Sequence, residues 1–415
     1  MKLQDGIKTK CSLFVCLILQ TTLFLPTLSY AATYYASTNG NDGNTGSQAA
    51  PFRTIKYSFG RLFAGDTLLI RGGIYSEMLE SHYGTNFPSG TSWANPITVA
   101  ALPGEKVTLR GTMAIGIETP LTQYVIFDGI IVDATGLESG ISLNGGTHHL
   151  RFINGEVKNA VGTSGINTSY HNDNSPGNTS HQFINMHVHH NGLNTSYYTA
   201  IHTAAHRHGF YIETSDNLIE KCQIHDNAGW GIHQYRFDDG IRIKNNIYRN
   251  NLIYNHGSGA ITINRGDDNL IYNNIVWKNL HGININNLGN NARNKVYNNT
   301  IYGNTGRGID IQTGNIDTKV MNNIIYNNPT NLFNEGVNTT LSNNLTANPK
   351  FVDTENADFH LLATSPAIKN GIYIEEVKTD FAGQQRSLSS PTIGVYEYTT
   401  NSMSEAPKNL RLVTN

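Results

Sequence analysis

The sequence predicts an all-β fold: a right-handed, single-stranded parallel β-helix with capped ends. One phrase carries most of this. Two polar residues, a hydrophobic pair and an Asn recur about every 24 residues. The phrase reads KCQIHDN from Lys221, NNLIYN from Asn250, NNIVWKN from Asn273, NNTIYGN from Asn298 and NNIIYNN from Asn322. Weaker copies begin at Asp128, Asn154, Asn185 and Asn343, so successive starts lie 26, 31, 36, 29, 23, 25, 24 and 21 residues apart. A second phrase, Gly followed by a β-branched or aromatic pair, interleaves at Gly140, Gly165, Gly209, Gly231, Gly282 and Gly308. A period in the twenties, built from short β-rich runs broken by Asn and Gly, marks a solenoid. Helical repeats need longer amphipathic runs, and the repeat region holds none. Coils should stack roughly 4.8 Å apart, with the right-handed sense that parallel crossovers adopt.

The N-terminus reads as a signal peptide over residues 1–31. Lys2, Lys8 and Lys10 precede an apolar run over residues 11–25, and Ser29-Tyr30-Ala31 is a small-x-small cleavage site. The protein is therefore expected to be secreted or periplasmic. Cleavage removes three lysines and one aspartate and leaves 26 basic against 30 acidic residues, a net charge of −4. That argues against a nucleic-acid partner. Cys222 is the one cysteine left, so no internal disulfide forms.

Residues 32–110 read as an N-terminal cap with the first coils. A turn-rich start leads to Ile55, Phe59 and Leu62 at helical spacing, then to the strand-like DTLLIRGGIY and ITVAAL. Residues 111–345 are the coils. Residues 346–398 read as a C-terminal cap with FVD, DFHLL and TIGVYEY as strand pieces, and 399–415 as a mobile tail. A monomer is expected.

The register assigns facing, because side chains alternate along a strand. Ile131, Val157, Val188, Ile224, Ile253, Val276, Ile301 and Ile325 form an inward row, with Cys222 buried beside it. His187, His189 and His225 face outward as polar surface residues. Further along, the same column becomes Tyr254, Trp277, Tyr302 and Tyr326, a candidate sugar-stacking strip. In the Gly phrase, Ile141, Ile166, Phe210, Ile232, Ile283 and Ile309 point in. Ser142, Asn167, Tyr211, His233, Asn284 and Asp310 point out. The Asn residues of the NN pairs read as turn ladders that satisfy backbone groups. Asp216, Asp268 and Asp317, each five residues before a phrase start, read as turn formers.

Insertions locate the candidate site. Gly209 follows Asn191 by eighteen positions, Asn185 follows Gly165 by twenty, and Asn250 follows Gly231 by nineteen. All three insertions border one strand over adjacent coils, around Tyr211, Glu213, His233 and Tyr235. The loop YRFDDGIRIK adds Arg236, Asp238, Asp239, Arg242 and Lys244. Asp238 and Asp239 could hold Ca²⁺, and Ca²⁺ or Arg236 could neutralise a uronate carboxylate. Lys244, His208 or His233 would take the C5 proton, and Tyr211 or Tyr235 would serve the leaving oxygen. Glu213, Arg242, Tyr254, Trp277 and Tyr302 would bind substrate. His202, His206 and His208 form H-x-x-x-H-x-H, a second way to hold a metal.

The opening YYASTNGNDGNTGSQAAPFRTIKYSFGRLFAGDTLLIRGGIYSE and the segments NPKFVDTENADFHLLATSPAIKNG and IGVYEY resemble the caps of the secreted right-handed parallel β-helix repeat proteins of the pectate-lyase-like superfamily. The opening is similar to that of family 9 polysaccharide lyases, and the resemblance covers about residues 33–398. It implies action on an acidic polysaccharide by a lyase, C5-epimerase or hydrolase. Family 9 lyases use Ca²⁺ on several Asp with a Lys base, of which Asp238, Asp239 and Lys244 match a part. The Asp-Pro-His signature of alginate epimerases is absent. The expected activity is β-elimination on an acidic polysaccharide. The alternatives are a non-catalytic extracellular glycan-binding or surface-structural β-helix and a polyuronate C5-epimerase.

Overall fold

The computed structural model describes residues 31–116, 121–169, 178–193, 207–236 and 240–399. The expected signal peptide and tail, most of the insertion after Asn191, and Asp238 and Asp239 lie outside the described residues. The fold is a parallel β-helix of three sheets. The first sheet runs from Thr33–Ala36 to Thr340–Ser342, the second from Gly73–Tyr75 to Ile324–Tyr326 and the third from Leu79–Glu80 to Thr330–Asn334. In the coils the chain visits the first, second and third sheet in turn. Each strand pairs in parallel with its counterpart one coil away, as Val157 with Val188, Val188 with Ile224 and Ile224 with Ile253. Backbone groups of the strands inside each sheet therefore find partners on the coils above and below.

The interior is made of stacked rows. Ile224, Ile253, Val276, Ile301 and Ile325 are fully buried, and so are Ile166, Phe210, Ile232 and Ile261 of the third sheet. Phe127, Phe152 and Phe183 stack face to face at 4.8 and 5.5 Å. Cys222 is a buried free thiol, pushed up to about 12 by desolvation. One expected member of the second-sheet row is corrected. Val132, not Ile131, pairs with Val157, and Ile131 sits opposite Glu156 on the outer face. The phrase there begins at Gly129, because Asp128 still belongs to the strand Thr122–Asp128. Gly129 supplies the left-handed backbone, φ 70°, that Asn154 supplies at 54° one coil later.

The NN pairs make the corners. The first Asn takes the left-handed conformation: φ is 56° at Asn250, 53° at Asn273, 50° at Asn298 and 57° at Asn322. Asn is among the residues that tolerate this region best. The second Asn points inward and links coils. Asn274 Oδ1 accepts from Asn251 N at 3.0 Å, and Asn274 Nδ2 donates to Tyr248 O at 2.8 Å. Asn299 and Asn323 repeat the pattern. A second corner stacks Asn191, Asn227, His256, Asn279 and Asn304, and a third stacks His181, Asn217, Asn246, Asn269 and Asn294. Asp216, Asp268 and Asp317 are the left-handed residues of turns, at φ 61°, 57° and 55°.

At the N-terminal end the helix Ile55–Phe59 is capped by Thr54, whose side chain accepts from Tyr57 N, and buries Ile55 and Phe59. At the other end Phe351–Asp353 pairs antiparallel with Asp358–Leu361. The expected strand in TIGVYEY is not formed: residues 392–398 are bends and irregular chain. Residues 351–399 run back along the outside of the solenoid as a strap. Phe359, Val395 and Tyr396 pack on Tyr254, Ile275 and Trp277, while Ile374 and Val377 pack on Tyr272 and Tyr297.

The expected sugar-stacking strip is therefore corrected. Tyr254 and Trp277 are only 6% and 2% exposed. Trp277 meets Phe359 edge-on, and Tyr302 lies against Phe351 and Phe359. The column is an interface between solenoid and strap.

Candidate functional site

The third sheet brings the predicted residues of its outer face together. Asn167, Tyr211, His233, Thr262, Asn284 and Asp310 sit in one register row over consecutive coils. The row is sunken, with Thr262 only 1% and Asp310 only 3% exposed. Trp230, His281 and Arg307 border its upstream edge, with Trp230 and His281 stacked at 6.3 Å. Tyr235 and Arg265 border the downstream edge, where the Arg265 guanidinium lies 5.9 Å from the Tyr235 ring.

At the centre is a histidine relay. His208 is fully buried at the head of the strand His208–Ile212. Its Nδ1 accepts from Trp230 N at 3.0 Å. The neutral ring then carries its proton on Nε2, which donates to His233 Nδ1 at 2.7 Å. His233 in turn must keep its own proton on Nε2. The order of hydrogen bonds, not the burial alone, sets these tautomers. Tyr211 stacks on His208 at 5.7 Å and meets His233 edge-on at 5.3 Å, and Tyr235 stacks on the other side of His233 at 5.8 Å. Burial, the nearby Glu213 charge and a hydrogen bond to Glu213 push the Tyr211 hydroxyl well above its ordinary range. The Tyr211 hydroxyl keeps its proton and gives it to Glu213 in a hydrogen bond.

The hydrogen bonds bear on three of the predicted residues. His208 and His233 were expected as acceptors of a substrate proton. His208 is buried with both ring nitrogens engaged. His233 cannot offer a bare Nε2, because that would need Nδ1–H aimed at a His208 nitrogen that already bears hydrogen. In this tautomer His233 Nε2 carries hydrogen. Arg242, expected to bind substrate, is a structural tie. It holds Asp267 through two hydrogen bonds of 3.0 and 2.5 Å and also donates to the carbonyls of Gly289 and Asn290. Lys244 is exposed on the two-residue strand Ile243–Lys244, where its backbone contacts Ser215 and Asp216 in the turn leaving the third sheet. Arg236 is buried directly after Tyr235. The described groove residues make no oxygen cage for Ca²⁺. Glu213 is bonded to Tyr211, and Asp310 is paired with Arg307 at 2.9 Å.

The second sheet holds a cluster whose residues the sequence marks only as outward and polar. His187 and His189 lie two apart on one strand, and His225 is the register partner of His189 one coil on. His187 Nε2 and His225 Nε2 are 2.5 Å apart. His225 Nδ1 donates to Asp226 Oδ2 at 2.5 Å, and His189 Nε2 lies 3.3 Å from Glu156 Oε1. Burial and the neighbouring imidazoles hold His187 down at about 3 and His225 at about 4. The hydrogen bond from His189 and the pairing with Lys158 hold Glu156 at about 2. An H-x-H at outward positions with a third His in register on the next coil was the available signal.

The comparisons agree with this architecture. The family described as right handed beta helix region matches residues 175–351. The uncharacterized protein YwoF of Bacillus subtilis (strain 168) is 28% identical over 138 residues, 30% of this chain and 28% of that protein. The match thus spans well under two thirds of the relative's length. Among solved structures, pectate lyase Pel9A has a TM-score of 0.65 at 18% identity, covering 90% of this chain and 98% of its own. A rhamnogalacturonan lyase has 0.59 at 14%, covering 86% and 99%. XylC in complex with xylose has 0.59 at 12%, covering 88% and 98%. At these identities the likeness is one of fold: the chain is a right-handed parallel β-helix of the kind seen in pectate and rhamnogalacturonan lyases.

Proposed function

We propose that the protein is an exported, carbohydrate-active β-helix that works on an acidic polysaccharide by β-elimination in the third-sheet groove. The observation that carries this reading is the His208–His233 relay beside Tyr211, sunk in a groove edged by arginines. The fold shared with two lyases supports it at the level of analogy. Elimination needs a cation against the uronate carboxylate, a base for the C5 proton and a donor for the leaving oxygen. Arg236 and Arg265 provide the cation. His233 Nε2–H and the Tyr211 hydroxyl provide donors. Lys244 as the free amine, or Tyr235 as the phenolate, takes the proton. Ca²⁺ on Asp238 and Asp239 is a separate expectation, read by adding chelator.

The test is absorbance in the unsaturated-uronate band with pectate, alginate and glycosaminoglycans, with and without Ca²⁺. The expected result is a rise on one of them that falls roughly 10²–10⁴-fold in Tyr211→Phe or His233→Ala. No rise on any polymer rejects elimination. Product analysis for inverted C5 centres then decides whether the epimerase reading takes its place. The non-catalytic glycan-binding reading loses its aromatic strip to the strap.

A further inference from the structure

We propose that His187, His189 and His225 bind a divalent transition-metal ion of the zinc class, with Asp226 orienting His225. The cluster lies on the second sheet, so it is separate from the third-sheet groove, and its chemistry is not that of Ca²⁺. Calcium takes oxygen ligands, whereas three imidazoles select Zn²⁺, Cu²⁺ or Ni²⁺.

The argument begins with backbone register. Residues two apart on a strand share a face, so His187 and His189 project together. His189 pairs with His225, which brings the third ring onto the same patch. One nitrogen from each of the three lies within 4.8 Å of the others. Nitrogens bound to one zinc ion at about 2.0–2.1 Å lie at most about 4.2 Å apart, so the His189 ring, stacked parallel on His225 at 5.0 Å, turns to close the set.

Tautomers give the second argument. Asp226 accepts from His225 Nδ1, which leaves the lone pair of His225 on Nε2, aimed at His187 Nε2 2.5 Å away. A carboxylate on the far nitrogen of a histidine is the arrangement that orients metal-binding imidazoles and raises their basicity. The His225 ring is also fixed before any ion arrives. It is 4% exposed and packed between His189 at 5.0 Å and Tyr254 at 4.8 Å, nearly parallel to both. Glu156, 3.3 Å from His189 Nε2 and bonded to Lys158 at 2.5 Å, adds negative charge beside the set. A different grouping, His190 with His225 and Asp226, is also close in space. It would need the His225 nitrogen that Asp226 already occupies, so the Nε2 side is favoured.

The experiment uses the full chain, purified without a histidine tag and stripped with chelator. Titration calorimetry with ZnCl₂ and with CaCl₂ measures binding, and the visible spectrum of a Co²⁺ form reports imidazole coordination. The expected result is one Zn²⁺ per chain, a Zn²⁺ heat that saturating Ca²⁺ leaves unchanged, and a four-coordinate Co²⁺ spectrum. The double variant His187→Gln/His189→Gln, at partly exposed positions, should fold and lose Zn²⁺ affinity by 100-fold or more. Asp226→Asn should weaken it by roughly 10–100-fold. No Zn²⁺ uptake by the parent chain overturns the proposal. So does uptake that survives in the double variant, which would move the ion to other histidines. His225→Ala serves only as a third variant, because loss of its packing against Tyr254 can impair folding.

Discussion

His233 and Ile253 separate site from scaffold. His233 points outward into the groove, whereas Ile253 is wholly enclosed between Ile224 and Val276. His233→Ala should change stability by roughly 0.5 kcal/mol or less, while Ile253→Ala should cost about 2–5 kcal/mol. Denaturant melts of the two variants check it, and equal losses reject the facing. His181 and His256 lead to a pH prediction. Each stands in an asparagine ladder, its Nδ1 accepting a backbone N–H and its Nε2 donating. Burial holds His181 down at about 3 and His256 at about 4. The unfolded chain binds protons near 6.5 that the folded chain refuses. Stability from these groups is therefore whole above that pH and is lost as pH falls toward 4 and 3, by up to roughly 1.4 kcal/mol per pH unit for each group. His256→Asn restores the residue that neighbouring coils use. It should flatten the acid limb of stability measured from pH 7.5 to 5 and cost little at pH 7.5. At this scale, facing was legible because alternation is strict: Tyr211 and His233 could be placed from Phe210 and Ile232. The burial of His208 was not legible, since it depends on Trp230 one coil away.

The coil corner shows what an element needs beyond its pattern. Asn274 accepts from the backbone and side chain of Asn251 and donates to Tyr248 O and Asn299 Oδ1. Asn274→Ala leaves a buried N–H and a buried carbonyl unpaired, at about 1–3 kcal/mol each. Asn274→Asp keeps the acceptors, removes the donor and buries a charge. It should be worse than Ala at pH 7 and partly recover near pH 4, as the carboxyl takes a proton. Thermal melts at both values read this directly, and an Asp variant as stable as Ala at pH 7 contradicts the ladder account. The NN pairs were readable as turn ladders because they recur at each corner; that one member supplies left-handed backbone and the other bridges coils needed the structure. Ile131 was misplaced because Gly129 supplies the left-handed backbone there and leaves no Asn to mark the corner. The tie of Arg242 was not legible for a related reason. Its partner Asp267 lies one coil on, at a spacing altered by the long insertion after Gly231.

Across the whole molecule, the solenoid was legible because its contacts repeat at a fixed period, while the strap was not, because its contacts are made once. Nothing local marks Tyr254 and Trp277 as covered; the cover comes from Phe359 and Val395, about a hundred residues later. Arg386 is a buried tie that fixes it, alongside the bonds of Asn322 to Ile372 and of Asn273 to Thr379. Its guanidinium is buried, and it donates to Thr392 O, Gly394 O and Val395 O within the strap and to Asn273 Oδ1 on the solenoid. Glu397 lies 3.6 Å away, and Asp380 carries a further charge nearby. Arg386→Ala strands two buried carboxyls and several carbonyls, a loss on the order of 3–5 kcal/mol. That loss falls on the strap, because the coils keep their own ladders. The strap should then release before the solenoid melts. A protease should cut within residues 351–399 at temperatures where the coils still resist it, and tryptophan emission should shift to the red as Trp277 meets water. The shift should vanish in a Trp277→Phe background, which separates it from Trp93 and Trp230. A variant that melts in one step with the parent's protease resistance would mean that strap and solenoid form one cooperative unit held mainly by the Trp277–Phe359 contact.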